Sequence, residues 1–220
     1  MATSVNPKPL KLGLKILLLP LYTILKPRES YARLRRIVRE SSPGVRALAS
    51  LYAFIGFSLL STLAIILAGF LRAIMKAAGL HPGEAFSTAF TSLYAAFLYP
   101  FLAALILGFL DTILILVPVK LMERDAPDYL GILLIRFSSL IAYAVKPGYI
   151  AASEGPEKLG VASIYGLHLN GSLYGASLLV TLFTYIMTAW GLVRSGGTRW
   201  RTALVASAVP IIAHIAVGLA

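Results

Sequence analysis

Five apolar stretches fill the chain from Leu48 to its end, at roughly 48–71, 90–118, 129–147, 173–193 and 202–219. A spanning helix needs about 20 mostly apolar residues, and each stretch is close to that length or beyond it. Lipid offers no hydrogen bonds to an open backbone, so only helices or closed barrels cross it. None of the stretches alternates in the manner of barrel strands. The expected fold is therefore all-α: a polytopic transmembrane bundle of five helices over residues 47–220, behind a basic amphipathic cytoplasmic segment over residues 1–46.

That pattern governs how the composition is read. The 220 residues are 58% hydrophobic, with a mean hydropathy of +0.82, and the spans leave no room for a soluble domain of ordinary size. A net charge of +11 would suggest nucleic acid in a soluble chain. Between apolar spans, Lys and Arg instead mark cytoplasmic loops and bind anionic headgroups, so membrane lipid and not nucleic acid is the expected partner. No cysteine is present, which excludes disulfides, thiolate metal sites and cysteine nucleophiles.

The basic residues set the topology. Lys8, Lys11, Lys15, Lys26, Arg28, Arg33, Arg35, Arg36, Arg39 and Arg46 precede the first span, against only Glu29 and Glu40. Lys120, Arg124, Arg194, Arg199 and Arg201 fall on the same side, whereas the opposite loops hold Arg72, Lys76, Lys146 and Lys158. The positive-inside rule then places the N-terminus in the cytoplasm and, after five spans, the C-terminus outside a cell membrane. The lysines before Ile16–Leu19 imitate a signal peptide. Pro20 interrupts that run and no small-x-small cleavage site follows, so the segment is expected to be retained at the interface.

Pro27 suits the first turn of a helix over Arg28–Glu40. Tyr31, Leu34 and Val38 fall on one side of it and Arg28, Arg35 and Arg39 line another, which fits a helix in the headgroup plane or one packed on the protein's inner surface. The arginines are candidate contacts for lipid headgroups or a partner. The first outer connection is expected over Leu71–Phe86, with a turn at His81-Pro82-Gly83. As one helix, Ala85–Val117 would measure about 50 Å, longer than a bilayer of about 30 Å, so a kink is expected at Pro100. The third span is expected to end near Lys146-Pro147-Gly148, and the stretch to Ser172 to hold a short helix at the outer leaflet. Asn170-Gly171-Ser172 is an N-glycosylation sequon there, of a kind that also arises by chance, and Gly171-x-x-x-Gly175 allows a close helix approach.

Two ionisable residues lie deep inside spans. Asp111 precedes the inner end of the second span and Arg136 follows the inner start of the third, each about 12–14 Å from the same face. An unpaired charge there costs at least about 2.5–3.5 kcal/mol, so the two are expected to pair. The pair fixes helix register or gates a polar pathway; otherwise Arg136 snorkels alone. His214 in the fifth span and His168 in the outer loop stand by themselves, as hydrogen-bonded core histidines commonly do. Nucleophile elbows, zinc-protease motifs, phosphate-binding glycine loops and spaced acidic clusters do not occur. Enzymatic activity, a metal and a cofactor are not expected.

Leu25-Lys26-Pro27-Arg28-Glu29-Ser30-Tyr31 opens the amphipathic helix with a proline followed four residues later by an aromatic. The third span closes with Ala142-Tyr143-Ala144-Val145-Lys146-Pro147, and the last two spans join through Gly191-Leu192-Val193-Arg194 and Arg201-Thr202-Ala203-Leu204, with Pro210 beyond. Together, across roughly residues 20–220, these features resemble the Yip-domain family of Ypt/Rab-interacting integral membrane proteins, in its compact prokaryotic form. The resemblance implies five spans and a role in membrane shaping or trafficking. Eukaryotic relatives bind Rab-type GTPases through a longer cytosolic region, and that partner is not carried over to a basic segment of about 46 residues.

The function expected is thus a non-catalytic membrane protein that organises lipid or membrane-protein partners, with oligomerisation left open. The alternative is a small transporter or channel subunit, with Asp111, Arg136 and His214 along a polar route. Five spans lack the even inverted repeat that transporters favour.

Overall fold

Proline starts one helix after another. Helices α1 (Pro27–Glu40), α2 (Pro43–Ala78) and α3 (Pro82–Ala103) each carry it in the first turn, where its missing N–H is one of the groups a helix start leaves unpaired anyway. The computed structural model describes residues 25–79, 81–164 and 171–219; the expected interfacial run before Leu25, His168 and Asn170 lie outside them. Helix is the regular structure throughout, with no strand among the described residues.

Helix α2 has 36 residues, about 54 Å at 1.5 Å per residue. The anticipated outer connection over Leu71–Phe86 is corrected accordingly: α2 runs on to Ala78, Gly79 N–H closes its end on the Met75 carbonyl at 3.1 Å, and α3 starts at Pro82. The apolar run stops near Leu71, but the helix does not stop with it. Leu59, Leu63, Leu67 and Phe70 line one exposed face of α2, an apolar stripe too long for a water-facing surface and suited to lipid.

The chain stays helical from Pro82 to Met122, as α3, a π-helical stretch over Ala104–Leu110, and α4 (Asp111–Met122). Pro100 does not break it. The proline deprives the Ala96 carbonyl, four residues earlier, of its amide partner, and Thr62 Oγ1 of α2 donates to that carbonyl at 3.0 Å. The irregularity falls one turn later, in the π-helical stretch.

Helix α5 (Tyr129–Ser139) is capped by Asp128, whose Oδ1 accepts from Gly131 N–H at 2.9 Å. Every residue from Gly131 to Leu140 is buried, which marks a helix at the centre of a bundle. It packs on α1, α2 and α4. Phe137 of α5 meets Phe54 and Phe109 edge-on, with ring centroids 5.7 and 5.5 Å away.

The helical run does not stop at Pro147. After breaks at Leu140 and Val145 the chain continues through α6 (Ile141–Ala144) and α7 (Lys146–Ser153), and the halves Tyr129–Ser139 and Ile141–Ser153 meet at 44°. Pro147 opens α7 instead of closing α5, the same use of proline as in α1 to α3. Helix α7 lies against α2, where Arg72 Nη1 donates to the Ala152 and Ser153 carbonyls at 2.9 Å each. This removes Lys146 from the outer loop: it is 2% exposed, and its Nζ donates to the Ile164 carbonyl at 2.9 Å and to Thr181 Oγ1 at 3.3 Å.

A 3-10 turn (Pro156–Lys158) and α8 (Val161–Ile164) follow, then α9 (Gly171–Arg194) and α10 (Trp200–Leu219), which packs on α4 and α9. By length and apolarity three helices can cross a membrane: α2, the run Gly83–Met122, and Tyr174–Arg194 of α9. The bent α5–α7 pair makes a fourth if it is one span, and the apolar part of α10, Trp200–Ala216, is shorter.

Candidate functional site

Four elements converge on Asp111. It is the first residue of α4, directly after the π-helical stretch, and both it and Arg136 of α5 are 0% exposed. Arg136 Nη2 lies 2.8 Å from Asp111 Oδ2. The same oxygen accepts from Tyr185 Oη of α9 at 2.6 Å, and Oδ1 is 2.8 Å from His214 Nε2 of α10. A carboxylate oxygen accepts, so His214 carries its hydrogen on Nε2 in this contact.

The guanidinium is equally well partnered. Its Nη1 donates to Thr188 Oγ1 at 2.9 Å, and Thr188 passes its own hydrogen to the Thr184 carbonyl at 2.9 Å. Its Nε donates to the Leu107 carbonyl at 2.7 Å. The π-helical stretch makes that acceptor available: Asp111 N–H reaches back five residues to the Ile106 carbonyl, so it does not take Leu107 as an α-helix would. The Tyr185 ring lies against the guanidinium, 4.3 Å from centroid to Cζ. Burying a charge is tolerable only when its partners are this complete.

Asp111 and Arg136 thus stand together, and His214, which stood alone in the sequence, joins them from a helix 103 residues away. Tyr185, Thr188 and the Leu107 carbonyl were not anticipated. A signal for the side chains existed: Thr181, Thr184, Tyr185 and Thr188 recur at three- and four-residue spacing along an apolar helix. A smaller polar group lies beyond, where Tyr99 and Tyr143 hydroxyls are 3.0 Å apart and Tyr143 donates to the Ile164 carbonyl at 3.0 Å.

The second cluster of charge lies at the end of the bundle where α1, α5 and α9 meet. Tyr31, Leu34 and Val38 of α1 are buried in the common core. Tyr31 Oη donates to the Met187 carbonyl at 3.4 Å, and the Tyr31 carbonyl accepts from Ser195 Oγ at 3.2 Å. Burial pushes the Tyr31 phenol well above its ordinary range, so it remains a neutral donor. Arg46 ties the start of α2 to α1 through the Val38 carbonyl at 3.0 Å, and to α5 through Asp128 at 2.9 Å.

The three arginines expected to meet headgroups or a partner divide. Arg39 donates to the Gly196 carbonyl through Nε at 3.1 Å and also through Nη2, so it fastens α1 to the loop after α9. Gly197 beside it has φ +68°, and a Cβ there would collide with the Arg39 guanidinium. Arg39 is exposed in spite of its bond to Gly196, and Arg28, Arg35 and Arg36 are exposed too.

No cluster of three or more metal-ligating side chains occurs among the described residues. Comparisons with family models, curated proteins and solved structures find no match for this chain.

Proposed function

We propose that this chain is a non-catalytic, multi-pass protein of the cell membrane that organises anionic lipid or membrane-protein partners at the inner leaflet, in the manner of the Yip-domain family. Helix α1 carries the proposal. Its apolar stripe is used up inside the protein, so Arg28, Arg35 and Arg36 project from a fixed platform. The bent α5–α7 pair counts as one span and α10 as the fifth, since its 20 residues measure about 30 Å. The N-terminus is then cytoplasmic and the C-terminus outside. The ends joined by Arg39–Gly196, Arg46–Asp128 and Glu123–Arg199 support this, because the basic residues of α1 and of both inner loops gather there.

A transporter or channel subunit is the second reading, and the 15% exposure of the His214 side chain favours it. Full burial of Asp111 and Arg136, each with its polar atoms partnered, favours a structural ion pair instead.

The test is recovery from native membranes with mass spectrometry of the bound lipids. Anionic lipid should be enriched and lost in Arg28→Gln/Arg35→Gln/Arg36→Gln. A retained solute that depends on Asp111 would favour the transporter. Topology is checked separately by single cysteines added at either terminus of a chain that has none; labelling of both from the same side would rule out five spans.

A further inference from the structure

The basic platform continues into a cleft between α1 and the end of α9. Its volume is about 830 Å³, and Arg28, Arg35 and Arg36 from α1 line it opposite Arg194, the last residue of α9. Glu40 is the acid among them. Four guanidiniums against one carboxylate leave a strongly positive cavity.

The walls hold a definite shape. Tyr31 and Arg39 bond α1 across α9 and the loop after it. Gly191 brings the helices close, since a Cβ there would come within 2.6 Å of Ile135 Cγ2 and 3.4 Å of Tyr31 Cε1. Trp190 lies at the mouth of the cleft, with Arg194 Cζ 5.4 Å from its ring centroid. Trp200 of α10 meets that ring edge-on at 6.3 Å. These are the two tryptophans of the whole chain, and tryptophan settles at the level of lipid headgroups. From the same mouth a stripe of exposed apolar residues descends α9: Trp190, Ile186, Phe183 and Leu179, at helical spacing on one face.

We infer that this cleft is a stoichiometric site for one dianionic phospholipid, its phosphate charge held by Arg28, Arg35, Arg36 and Arg194 and an acyl chain laid along α9. The charge excess matches two phosphates or one phosphomonoester better than a single phosphodiester, and guanidinium is the group suited to bidentate phosphate binding. The apolar stripe distinguishes a lipid from a free phosphate. The inference rests on the membrane-facing role proposed for α1, and adds to it a single site and a charge class.

Trp190 lines the cleft and Trp200 packs against it, so tryptophan fluorescence reports this end of the bundle. The full chain is reconstituted in phosphatidylcholine nanodiscs, and lipids with brominated acyl chains are added at low mole fraction. Brominated cardiolipin or phosphatidate should quench well beyond its mole fraction and saturate at one lipid per chain. Affinity should fall at least about tenfold in Arg28→Gln/Arg35→Gln/Arg194→Gln, with the helical circular dichroism signal unchanged. Equal quenching by brominated phosphatidylcholine or phosphatidylglycerol would overturn the site, as would full competition by inorganic phosphate, which would assign the cleft to a soluble anion. Anionic lipid still enriched from native membranes, without excess quenching, would remove the site and leave the general role. Enrichment that ignores the arginines would remove the role itself.

Discussion

Arg136 and Arg35 carry the same side chain into opposite circumstances. Arg136 is 0% exposed, and its Nε, Nη1 and Nη2 each donate to a different partner: the Leu107 carbonyl, Thr188 and Asp111. Arg35 is exposed and lines an open cleft with three further guanidiniums. In the middle of the bundle a charge survives only by exhausting its hydrogen-bonding capacity within the protein. At the end of the bundle water can solvate it, so its capacity is kept for something outside. Completeness of partners therefore separates charge that holds the fold from charge that can meet a ligand.

Breaking the buried member should do most damage. Arg136→Met leaves the buried Asp111 carboxylate without its countercharge and is expected to cost about 3–5 kcal/mol, whereas Asp111→Leu/Arg136→Met should recover most of the loss. Chemical denaturation in detergent micelles measures both. If single and double replacements are equally harmful, the two charges are not coupled and the contrast with Arg35 loses its basis.

The fastening of α1 should yield next. Gly197→Ala places a Cβ at φ +68° against the Arg39 guanidinium, at a cost of about 1–3 kcal/mol. The damage should be local: amide exchange should rise across Pro27–Glu40 and stay unchanged around Asp111. Exchange in α1 that does not respond would mean that Arg39 does not hold the platform in place.

The two regions were not equally legible in the sequence. Depth counting along two spans placed Asp111 and Arg136 at one level, because helix rise is constant and the hairpin between them is short. His214 could not be assigned a partner by that means; its helix is distant in sequence, and contact with α4 is decided by bundle packing. Nor does composition reveal the π-helical stretch that leaves the Leu107 carbonyl to Arg136. Lys146 was misplaced because Lys-Pro-Gly looks like the end of a span, when Pro147 in fact begins a helix packed on α2. On α1 the spacing of Tyr31, Leu34 and Val38 gave the buried side correctly. What the spacing could not distinguish was which arginine would be tied down, since Arg39 finds its carbonyl on a loop 157 residues away.

That distinction permits the finest test, on a single helix. Arg28→Gln/Arg35→Gln/Arg36→Gln removes three exposed charges and should change the unfolding free energy by no more than about 0.5 kcal/mol. Arg39→Gln removes one, and should cost about 1 kcal/mol or more, because the Gly196 carbonyl loses its donor. Three substitutions are then milder than one, an ordering that charge count alone would reverse. Repulsion among the clustered guanidiniums works in the same direction, since relieving it offsets what little packing their stems provide. Equal or greater loss from the triple variant would mean that these arginines hold α1 to the bundle, and the cleft would then be closed by its own side chains instead of open to a headgroup.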